Sequence, residues 1–244
     1  MIGSVLINLE KVDSSNVYLN KLLKEQVIEE GFTIVAREQT AGRGQINNKW
    51  ESKSGENITL SFLLYPKFLP VEMQFILSKF VALGIYDALN ELVENVKIKW
   101  PNDIYIDDKK VAGILIENTL RSATISNCII GIGININQTE FSSSIPNPGS
   151  LKILTGKHYS LDLIIERLLM RLNYWYEKVY TGKFQDVDNA YHKTLYKLGE
   201  FCEYEDEKGR FIGKIIGIEP DGRLCLLDSN NHARKYAFKE VKFI

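Results

Sequence analysis

Residues 99–117 read KWPNDIYIDDKKVAGILIE, and this stretch decides the fold because strand-forming residues enclose polar groups. Its strand-like runs are residues 104–106 and residues 111–116. The turn formers Asp107 and Asp108 separate these runs, a pattern that predicts a β-hairpin. A strand that served only the core would carry no such polar residues. The stretch therefore predicts a functional site built on a hairpin.

Small residues follow a lysine at the start of the second predicted strand. Lys110 opens this strand, and the alanine and glycine at residues 112–113 remove side-chain bulk, so a ligand or another backbone can approach closely. Pro101 ends the preceding segment and holds Asn102 and Asp103 at the tip of the adjoining turn. We therefore regard these polar side chains as candidates for binding and catalysis.

The composition indicates an ordinary globular protein. The chain has 244 residues with a formal net charge of -1, so no bulk field attracts nucleic acid or anionic membrane. Its 3 cysteines are far apart and form no C-x-x-C pair, which favours a reducing compartment. Residues 1–10 lack a basic leader, and no apolar run reaches membrane-spanning length. We expect a soluble, cytoplasmic protein.

The remaining pattern alternates helices with strands. Apolar spacing predicts helices from the N-cap group at residues 13–16 to Gly31, over residues 70–93 and over residues 160–180. Strands are predicted at residues 32–36, 58–64 and 123–136. After Leu198 the chain changes to short strands divided by turn formers, which indicates a small β-barrel-like module packed on a larger domain.

Two glycine-bearing segments supply further candidate residues. In loop 39–50, Gly42 and Gly44 bracket Arg43, an arrangement in which backbone N–H groups and a guanidinium can surround an anion. A Gly-x-Gly pair is more often an ordinary turn, and this one matches neither a Rossmann fingerprint nor a P-loop. Residues 131–137, GIGININ, again combine glycines with two amides. Either segment alone is weak evidence.

Taken together, these segments resemble the biotin protein ligases. The matching segments, in chain order, are residues 13–16, 39–50, 99–117 and 131–137, and residues 150–152 and the final module resemble later elements of the family. Members form biotinyl-AMP from biotin and MgATP and transfer biotin to a lysine of a carrier protein. The resemblance implies an α+β fold, with a class II aminoacyl-tRNA synthetase-like mixed β-sheet and helices over residues 1–195. A small SH3-like β-barrel is implied over residues 196–244.

The resemblance also implies a biotin site and an adenylate site. Hydroxyls and amides suit biotin's ureido group, whose donors and carbonyl must be paired when buried. The implied biotin-binding residues are Ser14, Ser15, Asn16, Gln39, Gly42, Arg43, Gly44, Gln45, Lys110, Gly113 and Gly131. The implied ATP- or adenylate-binding residues are Arg43, Trp50, Asn102, Asp103, Lys110 and Asn135. Lys110 and Arg43 are the implied catalytic residues, and Asp103 is an implied ligand of Mg²⁺.

The implied partners are biotin, ATP with Mg²⁺, and a biotin carboxyl carrier protein domain that presents the acceptor lysine. The resemblance leaves a homodimer open. One alternative is a lipoate or octanoate ligase or transferase of the same superfamily, against which the 99–103 motif and the Gln39 loop argue. Another is a non-catalytic biotin sensor. Since Asp13 follows Met1 too closely for a helix-turn-helix, we expect the form without an N-terminal DNA-binding domain.

Several candidate residues also have simpler structural interpretations. Ser14 is in position to cap a helix, and this role is compatible with ligand binding. Trp50 and Trp100 are equally consistent with core or loop anchors. Lys99 could be no more than a solvated charge at the end of a strand. Each of these interpretations makes a different prediction about burial.

One departure from the family pattern concerns the loop. The family often continues Gly-Arg-Gly-Arg with further basic residues, whereas residues 45–48 here read QINN and only Lys49 restores a charge. Phosphate charge must then be met by Arg43, Lys110 and Lys99 together with magnesium. The sequence therefore predicts a weaker grip on the adenylate at this loop.

Overall fold

A computed structural model describes residues 1–45 and 48–244 of the chain. The strands of the large sheet are β1 (Leu6–Leu9), β2 (Thr33–Ala36), β3 (Ile58–Leu64), β4 (Val96–Lys99), β5 (Asp103–Ile106), β6 (Lys109–Arg121) and β7 (Thr124–Ile134). The helices are α1 (Ser15–Glu25), α2 (Phe75–Asn90), α3 (Leu151–Thr155), α4 (Leu161–Tyr180) and α5 (Phe184–Lys193). The remaining strands are β8 (Phe201–Asp206), β9 (Gly209–Ile218), β10 (Leu224–Asp228), β11 (Ala233–Tyr236) and β12 (Lys242–Phe243).

The fold is α+β with two sheets, as predicted. The large sheet has the order β1-β2-β3-β7-β6-β5-β4, in which β1 runs parallel to β2 and the other neighbours are antiparallel. The second sheet is antiparallel with the order β11-β10-β9-β8-β12. Division into domains at residues 195 and 196, and closure of the second sheet into an SH3-like barrel, stay predictions.

The two faces of the large sheet have different roles because side chains alternate along each strand. On β3, Leu60 and Phe62 are fully buried in the main core, to which α2 and α4 contribute. The next side chain, Leu63, points to the opposite face and packs with Leu19 of α1. Ser61 lies on this second face as well, where it contacts residues at the start of α1. One face therefore supports the core, and the other presents polar groups.

Phe80 in α2 tests the importance of the main core. Its side chain is fully buried, and its ring centroid lies 5.4 Å from that of Tyr176. We expect Phe80→Ala to lower the free energy of unfolding by about 3–5 kcal/mol, because apolar burial is lost and a cavity remains. Urea denaturation measures this change. The matched control is Phe201→Ala, which removes a ring that is 58% exposed and should cost about 0.5 kcal/mol. Equal losses would contradict this description of the core.

The predicted hairpin is confirmed, with longer strands than expected. Strand β5 pairs with β6, and Asp107 in the turn adopts a left-handed backbone conformation with φ of 50°. The first helix was predicted to continue to Gly31, which is wrong. It ends at Glu25 because Gln26 adopts an extended backbone, and Val27 beyond it is 99% exposed. In the sequence, apolar residues at helical spacing continue to Val27, beyond the end of the helix at Glu25.

Other elements also differ from the prediction. The 70–93 helix is divided into a short 3₁₀ turn, Val71–Met73, followed by α2. Strand β1 was missed because its exposed side chains lack the alternation that marks a half-buried strand. Helix α5 was not predicted, although Phe184, Val187 and Tyr191 occur at helical spacing in the sequence.

The second sheet contacts the large one through specific groups. The Trp100 indole donates a hydrogen bond to Gly222 O at 2.8 Å. Gly222 has a φ of 96°, and a Cβ there would lie 2.6 Å from Phe75 Cδ2. Trp100 is thus a structural anchor, as its simpler interpretation predicts. Among the helices in the described part of the chain, none is both long and apolar enough to cross a bilayer.

Candidate active site

A cavity of about 1470 Å³ opens on the polar face of the large sheet. Its walls include residues 39–45 and 48–50, the β5–β6 hairpin and residues of the last strand, β12. All of the sequence-predicted site residues line this one cavity: Ser14, Ser15, Asn16, Gln39, Gly42, Arg43, Gly44, Gln45, Trp50, Asn102, Asp103, Lys110, Gly113, Gly131 and Asn135. Residues 46 and 47 of the QINN segment lie outside the described residues. The fold therefore brings together segments that are far apart in sequence.

One end of the cavity contains a chain of hydrogen bonds. The backbone N–H and hydroxyl of Ser15 lie 2.7 and 3.0 Å from Gln39 Oε1. The Ser61 hydroxyl lies 2.7 Å from Ser15 Oγ and donates to Asn16 Oδ1 at 2.5 Å. Asn16 Nδ2 donates to Glu117 Oε2 at 2.8 Å. Since unpaired polar groups are costly to bury, this connected chain fixes the orientation of each side chain.

Ser14 is at the N-cap position of α1, but its side chain makes no capping hydrogen bond. The prediction of a side-chain cap is therefore wrong. The residue is 3% exposed and lines the cavity, and its backbone N–H donates to Asp13 Oδ1 at 2.8 Å. Its hydroxyl is thus placed toward the cavity rather than toward the helix.

At several glycines of the loop and sheet, another side chain or backbone segment of the protein occupies the space that a Cβ would take. The Trp50 N–H donates to Gly42 O at 3.0 Å, and a Cβ at Gly42 would lie 2.4 Å from Trp50 O. The Trp50 indole lies on two strand glycines, because a Cβ would be 2.2 Å from its Cε2 at Gly133 and 3.1 Å from its Cζ3 at Gly113. At Gly131 a Cβ would lie 2.3 Å from Asn16 Oδ1. The close approach predicted for Gly113 is thus made by an indole.

Lys110 and Asp103 form an ion pair that lines the same cavity, with Lys110 near the start of β6 and Glu117 further along that strand. Lys110 Nζ lies 2.6 Å from Asp103 Oδ1, and the side chains are 28% and 20% exposed. The pairing register sets Asp103 opposite Gly113 and shifts between Ile104 and Tyr105, which brings the two charges to the same edge of the hairpin. The backbone of Lys110 is held by Asn147 and Gly149 through bonds of 2.8 and 2.9 Å. The ammonium therefore projects from a fixed strand.

Two asparagine side chains near this ion pair donate hydrogen bonds to backbone carbonyls in the cavity wall. Asn102 Nδ2 donates to Ile114 O at 2.9 Å, and the Ile114 N–H returns a bond of 2.9 Å to Asn102 O. Asn135 Nδ2 donates to Gly149 O at 3.0 Å. The buried Oδ1 of Asn135 has no hydrogen-bond partner among the residues that the structure describes. This oxygen is available to a donor on a ligand.

Lys99 is enclosed by aromatic rings. Its Nζ lies 4.7 Å from the ring centroid of Tyr105, 5.8 Å from that of Tyr196 and 4.8 Å from that of Phe243. Burial lowers the pKa of Lys99, and burial also raises the pKa of Tyr105 to about 12. Lys99 is therefore not a solvated strand-end charge. Its cation–π contacts join the hairpin to the second sheet.

Ser61 and Glu117 were missed as site residues. Ser61 is one of two hydroxyl residues, with Thr59, in the buried strand ITLSFLL, and polar residues in an otherwise apolar run were a usable signal. Glu117 closes the 99–117 stretch and accepts hydrogen bonds from Asn16 and from Arg43 Nη2, each at 2.8 Å. These partners are 101 and 74 residues away in the chain, so local pattern did not reveal them.

The donor set fits a magnesium ion that arrives with a substrate. Across residues 1–45 and 48–244, no group of three or more His, Cys, Asp or Glu side chains is arranged to hold a metal ion. Asp103 offers one carboxylate on the cavity wall. Mg²⁺ is usually held by one or two carboxylates together with substrate phosphates. Asp103 therefore fits the role of a single protein ligand.

Comparison with known proteins identifies a family to which this chain is similar. A model of the biotin/lipoate A/B protein ligase family matches residues 9–135. The chain is similar to the biotin protein ligase from Aquifex aeolicus solved with biotin and ATP, with 31% identity, a TM-score of 0.81 and coverage of 99% of this chain and 100% of that one.

Two curated relatives are also similar in sequence. The bifunctional ligase/repressor BirA of Bacillus subtilis is 30% identical over 217 residues, which cover 87% of this chain. This chain spans 66% of the length of that relative. The biotin–[acetyl-CoA-carboxylase] ligase of Paracoccus denitrificans is 27% identical over 228 residues, which cover 89% of this chain and 92% of the relative.

Proposed function

The chain belongs to the biotin/lipoate A/B protein ligase family, and we propose that it is an ATP-dependent biotin protein ligase. It activates biotin with MgATP to biotinyl-AMP and then transfers biotin to a lysine of a biotin carboxyl carrier protein. The observation that carries this proposal is the cavity, which is lined both by a buried hydrogen-bond chain and by the Lys110–Asp103 ion pair. Such a cavity suits a substrate with a polar head and a reactive carboxylate.

The hydrogen-bond chain supports recognition of biotin's ureido group. Ser15 and Asn16 are 4% and 3% exposed, and Gln39 lies beside them. A buried urea needs acceptors for its N–H groups and donors for its carbonyl, and hydroxyls and amides supply both. The neighbouring Ser14 hydroxyl and Gly131 line the same end of the cavity. We assign this end to biotin.

In the first step, a carboxylate oxygen of biotin attacks the α-phosphorus of ATP, and the bond to pyrophosphate breaks. The reaction needs no protein nucleophile, so orientation and charge stabilisation provide the catalysis. Lys110 lies at the reacting end of the cavity, where its ammonium neutralises the non-bridging oxygens. Arg43 contributes a guanidinium from the loop, whereas the Gly44 N–H is donated to Asn48 O at 2.7 Å within the loop. Asn135 Oδ1 accepts a hydrogen bond from adenine.

In the second step, the amine of the carrier lysine attacks the acyl carbon of the adenylate, an amide forms and AMP leaves. A mixed anhydride hydrolyses readily in water, so the site must exclude solvent. The Trp50 indole covers Gly113 and Gly133 of the sheet at this position. Magnesium neutralises phosphate charge when it is bound, and Asp103 is the residue that would hold it.

We further propose that residues 1–195 carry this chemistry and that residues 196–244 form a separate module.

A direct test is mass spectrometry of a carrier domain incubated with the protein, biotin and MgATP. We expect the carrier to gain the mass of one biotin on a single lysine. A parallel reaction with lipoate separates this proposal from a lipoate ligase of the same family. If biotin binds but neither pyrophosphate nor modified carrier appears, the protein is a biotin sensor and the proposal is wrong.

Gln45 offers a second test, because the family pattern often has arginine here. We expect Gln45→Arg to slow the release of preformed biotinyl-AMP about tenfold, since an added charge-assisted hydrogen bond to phosphate is worth about 1.4 kcal/mol or more. Stopped-flow measurement of adenylate release gives the rate. Gln185→Arg adds the same charge at an exposed position of α5 and serves as the control. Equal release rates for wild type and Gln45→Arg would show that other groups already hold the phosphate.

A further inference from the structure

We propose that Glu117 is a positioning residue whose carboxylate connects the biotin pocket to the loop that carries Arg43. This inference rests on the proposed function and adds a residue to it. Glu117 Oε2 accepts a hydrogen bond from Asn16 Nδ2, and Oε1 accepts one from Arg43 Nη2, each at 2.8 Å. One side chain on β6, an interior strand of the large sheet, therefore holds both the start of α1 and the loop.

The contact with Asn16 determines how its amide is turned. A carboxylate can only accept hydrogen bonds, so the Asn16 NH₂ group must face Glu117. Asn16 Oδ1 then faces Ser61, whose hydroxyl donates to it at 2.5 Å. Because Asn16 is 3% exposed and Ser61 is fully buried, the amide cannot reverse without setting its oxygen against the Glu117 carboxylate, two acceptors with no donor between them. Glu117 therefore sets the donor and acceptor pattern that the pocket presents to biotin.

The contact with Arg43 holds the loop on the cavity wall. The Arg43 side chain is 46% exposed, and the Glu117 side chain is 30% exposed. An exposed ion pair by itself contributes little stability. Here, however, the same carboxylate also accepts a hydrogen bond from the buried Asn16 amide, which fixes its position. The guanidinium therefore has a defined position beside the cavity. Glu117 thus acts on the reaction through Asn16 and Arg43.

The first experiment measures biotin binding to Glu117→Gln by calorimetry. Glutamine has one acceptor and one donor where two acceptors are needed, so we expect the Kd for biotin to rise about tenfold, the loss of one charge-assisted hydrogen bond. Trypsin should also cleave after Arg43 faster in the ligand-free variant, because the tether is weakened. The melting temperature should stay at the wild-type value.

The matched control is Glu91→Gln. Glu91 also joins two partners, Arg167 and Arg171, and its side chain is 36% exposed, but it lies between α2 and α4 on the other face of the sheet. We expect this variant to bind biotin as the wild type does and to show wild-type cleavage after Arg43. A tenfold loss of biotin affinity in Glu91→Gln would overturn the assignment to Glu117.

A paired substitution separates positioning from general structural support. Asn16→Asp sets two carboxylates against each other and should weaken biotin binding more than Glu117→Gln does. In the double variant Asn16→Asp with Glu117→Gln, the glutamine NH₂ can donate to Asp while its oxygen accepts from Arg43. We expect the double variant to bind biotin about tenfold more tightly than Asn16→Asp alone. Additive losses would overturn the proposal, and this comparison applies even if Glu117→Gln alone does not fold.

The outcomes also distinguish this inference from the function on which it rests. If the wild-type protein binds no biotin, the proposed function fails and the inference fails with it. If the wild type binds biotin and Glu117→Gln binds it equally tightly, only the inference fails.

Discussion

Lys110→Ala is expected to reduce the rate of biotinyl-AMP formation by at least about a hundredfold while the protein stays folded. Lys110 Nζ lies 2.6 Å from Asp103 Oδ1 at the end of the cavity assigned to the reacting carboxylate and phosphate. A charge-assisted contact is worth about 1.5–3 kcal/mol in a ground state. It is worth more where charge develops during phosphoryl transfer. Pyrophosphate release in single-turnover reactions measures the effect.

The control for this prediction is Lys109→Ala. Lys109 is the adjacent lysine and is exposed, so its removal changes the net charge equally without altering the cavity wall. It should leave adenylate formation unchanged. A folded Lys110→Ala variant that releases pyrophosphate at the wild-type rate would show that Lys110 has no catalytic role.

Gly133→Ala is expected to lower adenylate formation by about a hundredfold, although it adds a single methyl group. That methyl would lie 2.2 Å from Trp50 Cε2 and 2.5 Å from its Nε1. Gly133 is paired with Thr59 of β3 on one side and Gly113 of β6 on the other, so its backbone cannot move away. The indole must leave its position, and loop 39–50 loses its anchor over the sheet.

Adenylate formation and tryptophan fluorescence report the two parts of this effect. We expect the fluorescence of Gly133→Ala to change because Trp50 gains solvent, whereas the urea midpoint should fall only modestly. Gly217→Ala is the control, since its methyl would meet only His192, at 3.9 Å, within strand β9 of the second sheet. An active Gly133→Ala with unchanged fluorescence would mean that the indole is not needed where it lies.

Local sequence chemistry was sufficient for much of this fold. The pair Asp107 and Asp108 between two apolar runs predicted the β5–β6 hairpin, because turn residues and strand alternation act over a few neighbours. The end of α1 could not be predicted in the same way. Apolar spacing continued to Val27, but the helix stops at Glu25, since backbone hydrogen bonding and not spacing decides where a helix ends.

The order of the motifs along the chain predicted the residues of the candidate site more completely than any single local pattern did. The residues predicted to bind biotin and adenylate line a single cavity. Ser61 was overlooked because its strand has the pattern of a buried core strand in which Thr59 and Ser61 are the two hydroxyl residues. The side that a hydroxyl faces depends on strand register, which a sequence alone does not state.

The sequence by itself determined the hairpin, the glycines at which bulk must be absent, and the lysine that opens the second hairpin strand. Only the tertiary structure decided what fills the space over those glycines: the Trp50 indole at Gly133 and the Asn16 amide at Gly131. It also brought Glu117 to partners 101 and 74 residues away. The physical reason is the separation along the chain over which each kind of interaction acts. Turn chemistry and side-chain bulk act between neighbours in the chain, whereas sheet pairing and the burial of polar groups act between segments that meet only when the chain is folded.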